Sequence, residues 1–308
     1  MARPKDLIVT MIGSYPTDLG TAVADQLEVG LNLITDGQTR ADMIRLFAER
    51  IPGLMMEKTP QGEKAIITGH IKADVAADEL VADLVQARDL ARGKADVKAI
   101  VTGPVTMAFS SELRTSAYKN YRDPRLYNDM AGALLHFAKA FRAAGATRLQ
   151  IDEPFLSVGA PMREARAAIE HIAKGSGIPE VALHVCGDVS APMPDGTGGS
   201  VALFHQLLDF EGIGILSHGF MGQSRNRNLI DKAHLEDHGK RLGLGCIDTA
   251  KHDIESPDEV SSLIRDAVDR VGWENLVIHP DCGLRSLPHA VAKGKLKAMV
   301  AGLMLVDR

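Results

Sequence analysis

Cysteine is scarce in this chain, with three residues among 308. Three are too few for a disulfide framework, and an odd number argues further against one. In a reducing compartment each thiol is then either a small buried hydrophobe or a metal or catalytic group. Charge of one sign is lacking too. The formal net charge is −5, and no run of like charges exceeds a few residues. That balance argues against sequence-blind binding of nucleic acid and against adhesion to an anionic membrane. Long apolar runs are also missing. The stretch after Met1-Ala2-Arg3-Pro4-Lys5-Asp6 is broken by Gly13-Ser14 and Pro16, too short for a signal peptide or a membrane span. A soluble, cytoplasmic protein is expected. The chain is 45% hydrophobic and 24% charged, which suits a large buried core and excludes wholesale disorder.

Short segments rich in Val, Ile and Leu recur at 7–12, 31–35, 97–102, 148–152, 181–186, 213–218, 242–247 and 276–279. They are apolar at consecutive positions, the pattern of strands buried on both faces of a parallel sheet. Amphipathic stretches lie between them. Residues 126–144 carry Leu126, Met130, Leu134, Phe137 and Phe141 at helical spacing, and 21–30, 161–174 and 256–271 also read as helices. The last of these opens on Ser256-Pro257-Asp258-Glu259, good helix-start chemistry. Eight strands alternating with helices predict an α/β fold, a (β/α)₈ TIM barrel, with 1–308 as a single catalytic domain. Between the second and third strands the chain is longer than one helix requires. An insertion is expected there: a helix over 42–54, a hairpin or strand pair over 63–72, and a helix over 79–92. Residues 193–199 are rich in Pro and Gly and read as a mobile loop.

Polar residues crowd the ends of these strands. They include Gly13-Ser14, Asp36-Gly37-Gln38, Asp152-Glu153-Pro154, His184-Val185-Cys186, His218-Gly219 and Asp281-Cys282-Gly283. In a barrel such positions converge on the rim that holds the active site. On a strand, His184 and Cys186 are two apart and face one space. A His-x-Cys pair alone is more often a buried His beside a core Cys. Cys282, ending the eighth strand across the mouth, tips the balance toward a metal. One nitrogen and two sulfurs suit zinc with an open position for substrate. Asp152 and Glu153 read either as capping and salt-bridge groups, or as carboxylates for a substrate ammonium or for orienting a metal ligand.

These motifs, in order along almost the whole chain, resemble the catalytic C-terminal domain of cobalamin-independent methionine synthase. The likeness also takes in Ile12-Gly13-Ser14-Tyr15-Pro16, Thr102-Gly103-Pro104-Val105-Thr106 and Pro280-Asp281-Cys282-Gly283-Leu284. The resemblance implies a TIM-barrel methyltransferase that methylates the zinc-activated thiol of homocysteine to give methionine. It implies His184, Cys186 and Cys282 as zinc ligands, and Ile12, Ser14, Gln38 and Asp152 as substrate contacts. Ser14 would meet the carboxylate, and Asp152, also the candidate catalytic residue, the amino group.

Three departures shape the expectation. Gln38 stands where long members have a Glu, and Ser110 where they have a Trp lining the folate pocket. The N-terminal barrel of the long enzymes has no counterpart in the sequence. These features resemble the short "core" members, which implies methylcobalamin or another methylcorrinoid as donor, free or held by a corrinoid-protein partner. Gly219 stands where a Glu serves as fourth zinc ligand, so His218, Glu153 or Asp188 would have to replace it, or three ligands suffice. Two other readings stay open. One is a methylcorrinoid:coenzyme M-type thiol methyltransferase. The other is a catalytically impaired subunit that docks a corrinoid protein or binds a ligand.

Overall fold

The computed structural model describes residues 3–60, 62–194 and 199–306. Six parallel strands run in the order Ala99–Thr102, Arg148–Asp152, Glu180–Val185, Ile215–Gly219, Arg241–Gly245, Leu276–His279. Closure comes from shorter contacts. Val9 bridges Ile278, Thr10 bridges Leu33, and Leu33–Ile34 pairs with Asp96–Val97, so eight segments return on themselves as the expected barrel. The first segment makes bridges instead of a full strand because a side chain enters its ladder. Asn32 Oδ1 accepts from Val9 N at 2.8 Å, and its Nδ2 donates to Leu7 O at 2.8 Å. The third strand is split at Lys98, whose N–H still bonds to Ile34, while Ala99–Thr102 has turned to the fourth strand.

Helices cover the outside, and their ends follow capping chemistry. Asp123 caps Pro124–Ala143, whose Leu126, Met130, Leu134, Phe137 and Phe141 are all buried. Ser256 and Glu259 form a capping box ahead of Pro257–Val271. Leu19–Glu28 and Met162–Gly175 occupy the other two expected positions. The final helix, His289–Val306, packs on Pro257–Val271 and is the helix that a (β/α)₈ barrel places after its eighth strand. Among the described residues, no helix is long and apolar enough to cross a membrane.

The inserted region differs from expectation in its bounds. Only Arg45–Ala48 is helical in the first part, and the antiparallel hairpin runs Leu54–Thr59 with Gly62–Ile67. Gly53 sets the switch. Its φ of 101° is left-handed, and a Cβ there would lie 2.5 Å from the carbonyl oxygen of His70. Asp78–Ala91 is the expected second helix. Of the expected loop at 193–199, residues 195–198 lie outside the described residues. The flanking Pro192–Pro194 and Ser200–Ala202 pair as a short antiparallel ribbon.

Candidate metal centre and substrate cavity

Parallel register sets the site. Asp152 on the fourth strand is level with His184 on the fifth, and Ser217 on the sixth is level with His184 from the other side. The eighth strand ends at His279, and the chain brings Cys282 over the mouth three residues later. One ligand atom each from His184, Cys186 and Cys282 lies within 4.8 Å of the others. His184 is buried, and its Nδ1 sits 3.2 Å from the carbonyl oxygen of Ser217. That carbonyl takes the Nδ1 proton and leaves the lone pair on Nε2. Nε2 is buried and, among the described residues, has no hydrogen-bond partner, as is also so of Nε2 in His218 and His279. An orphaned imidazole nitrogen beside two thiols fits a borderline-soft cation. Their hydrogen bond lowers Cys186 below the usual thiol range, and raises Cys282 well above it together with burial.

A cavity of about 400 Å³ opens at this group. Ile12, Ser14, Gln38 and Asp152, the four expected substrate contacts, line it together with Met43, Arg285 and the three candidate ligands. Asp152 is buried, which raises its carboxyl above the usual range. Its Oδ1 accepts from Gln150 Nε2 at 2.6 Å, and the same nitrogen donates to Ile12 O at 2.9 Å. Below, Lys98 Nζ donates to Gln150 Oε1 and to Met11 O, both at 2.6 Å. The Ile12 carbonyl can only accept, so it fixes the Gln150 amide nitrogen on the Asp152 side and leaves the oxygen toward Lys98. Burial lowers Lys98 to about 7. Lys98 and Gln150 escaped the sequence reading; the signal for Gln150 was its place two residues before Asp152 on one strand.

The three groups considered as a fourth ligand are held elsewhere, although Nε2 of His218 is buried without a hydrogen-bond partner among the described residues. Glu153 points away from Asp152, as neighbours on a strand do. Its Oε1 accepts from Val105 N at 2.9 Å, and its Oε2 from Thr106 N at 2.8 Å and Thr106 Oγ1 at 2.7 Å. Gly103 makes room for it, since a Cβ there would fall 2.1 Å from Glu153 Cδ. Burial pushes Glu153 up to about 7 against the pull of those donors. Asp188 accepts from Ser190 N at 2.9 Å, and His218 packs edge-on against Phe204 with Nδ1 at Val185 O. Gly219 faces Asp281, whose carboxylate accepts from the N–H groups of Phe220, Met221 and Gly222. Among the described residues the ligand group is therefore three, with no replacement for the missing Glu. Cys246 is a core residue, fully buried, with Sγ 3.6 Å from His279 O.

Glu153→Gln tests this division. One acceptor oxygen becomes an NH₂ facing N–H donors, so stability should fall by about 1–3 kcal/mol in urea unfolding. Metal content should not change; a loss would place Glu153 among the ligands.

Residues 14–302 match the family described as cobalamin-independent synthase, catalytic domain. The chain belongs to that family. A methionine synthase from Methanothermobacter thermautotrophicus is 37% identical over 96% of this chain and 98% of its own. One from Methanocaldococcus jannaschii is 31% identical over 97% and 99%. The solved structure of a B12-independent methionine synthase from Shewanella, in complex with selenomethionine, has the same fold. It superposes with a TM-score of 0.79 at 23% identity, covering 97% of each chain. Family members are methyltransferases, and so is this chain.

Proposed function

We propose that this enzyme transfers a methyl group to the thiol of homocysteine, giving methionine, and that residues 1–308 act as one catalytic barrel. The observation that carries the reading is the orphaned His184 Nε2 beside Cys186 and Cys282, opening on a cavity that also holds Asp152. Zinc held by those three side chains would act as a Lewis acid that keeps a thiol ionised at neutral pH. The remaining work falls to the protein. Asp152 pairs with the substrate ammonium, Gln150 holds Asp152 Oδ1 in place, and Ser14 and Ile12 form the wall beside it. The acceptor thiol gives up its proton, a bond forms between sulfur and the methyl carbon, and the donor keeps the electron pair of the bond that breaks. The cavity and Asp152 speak for an amino-acid acceptor over coenzyme M, since a sulfonate thiol brings no ammonium to a buried carboxylate.

The donor proposed from the sequence is a methylcorrinoid, on the ground that Ser110 replaces an aromatic platform. The family description, cobalamin-independent, lends a corrinoid or a corrinoid-protein partner no support and favours a folate donor instead. Offering free methylcobalamin or methyltetrahydrofolate with homocysteine separates the two. The methylcorrinoid reading expects loss of the methylcobalamin spectrum with methionine formed; folate turnover with methylcobalamin unchanged would replace it. Methionine from neither donor would contradict the function itself.

A further inference from the structure

One cation of the cavity wall makes no ion pair among the described residues, although Asp42 and Asp152 line the same cavity. Arg285 lies on the loop after the eighth strand, three residues past Cys282, and lines the same cavity as the candidate ligands. Its Nη2 donates to the carbonyl of Gln38, and its Nε is buried without a hydrogen-bond partner among the described residues. Among the described residues it makes no ion pair. A guanidinium is always charged and carries five N–H donors in a fixed fork. Leaving one half-buried without an anion is costly unless the anion arrives with a ligand.

The surroundings hold this fork still. Gln38 is a non-glycine residue with φ of 45°, in the left-handed region, and follows Gly37 at φ 76°. Such strain persists only where neighbours enforce it, and it clusters at ligand sites. The enforcing contacts are the Arg285 bond to the Gln38 carbonyl and the Gln38 N–H bond to Asp36 Oδ1 at 2.9 Å. Ser14 adjoins the same loop. Leu284 N donates to Ser14 O at 2.8 Å, and a Cβ on Gly283 would fall 2.3 Å from Ser14 Oγ. Hydroxyl and guanidinium thus come from neighbouring positions on one wall, while Asp152 also lines the cavity.

We propose that Arg285 is the anchor for the α-carboxylate of the acceptor amino acid, with the Ser14 hydroxyl as its companion. The inference rests on the amino-acid acceptor reading above and adds the residue that makes the carboxylate a requirement. A cation for the carboxylate and an anion for the ammonium recognise a zwitterion, and each would repel a thiol carrying the wrong single charge.

The test uses equilibrium binding to the zinc-loaded protein, independent of any methyl donor. Methionine carries both charged groups; 3-(methylthio)propylamine lacks only the carboxylate. Arg285→Gln should weaken methionine roughly 10- to 150-fold, the range of a lost charge-assisted bond, and leave the amine nearly unchanged. Arg285→Lys should recover part of the loss, since a point charge replaces the fork. Equal weakening of both ligands would overturn the proposal and make Arg285 a scaffold for Gln38. Unchanged methionine binding in Arg285→Gln would also overturn it, while the acceptor reading stood. Wild-type protein that binds no methionine would bring down both.

Discussion

Cys186→Ser combined with Cys282→Ser is expected to take the protein from about one zinc per chain to nearly none. Methyl transfer should disappear with the metal. Two of three ligands go, and Nε2 of His184 alone offers one nitrogen, too little to hold zinc against water. The fold should survive, because both thiols are only partly buried and sit at the rim, outside the apolar core. Circular dichroism and the unfolding transition of the metal-free wild type are the proper comparison, since zinc itself stabilises whatever state binds it. Cys246→Ser is the control: its sulfur is enclosed by the core and bonded toward His279, so zinc content should stay at wild-type level. Undiminished zinc in the double variant would show that the ligand set is wrong.

Asp152→Asn should weaken homocysteine binding by roughly 10- to 150-fold, the equivalent of a charge-assisted hydrogen bond worth about 1.5–3 kcal/mol. The substitution keeps the shape and an oxygen for Gln150 Nε2 but removes the charge that meets the ammonium. Zinc content should hold, because the ligands come from other segments. A thiol without an amino group, such as 2-mercaptoethanesulfonate, should lose little. If both thiols suffer equally, Asp152 positions the metal or the barrel instead of the ammonium. If wild type prefers the sulfonate, the acceptor is not an amino acid.

The barrel was legible because its strands are buried on both faces, which writes them as unbroken apolar runs between turn residues. The 148–152 and 276–279 segments coincide with observed strands. Where the sequence reading overran, a local contact intervened: the Asn32 side chain shortens the first segment, and Gly53 starts the hairpin earlier than expected. His184, Cys186 and Cys282 could be picked out because strand alternation and strand ends both point at one rim. Glu153 was read together with Asp152, although alternation alone sends the two carboxylates to opposite sides. Lys98 and Arg285 were hidden for a different reason. Each acquires its meaning from groups 52 to 247 positions away, through bonds that exist once the barrel closes.

Proton release on homocysteine binding tests the central claim most directly. A free thiol with a pKa near 8.5 is almost wholly protonated at pH 7. If the group formed by His184, Cys186 and Cys282 holds zinc that ionises the acceptor, each homocysteine bound should release about one proton. Calorimetry in buffers of different ionisation heat counts that proton without any methyl donor. The account predicts about one proton with the zinc-loaded wild type, and none with the Cys186→Ser, Cys282→Ser variant. Homocysteine that binds the zinc-loaded protein without releasing a proton would contradict it.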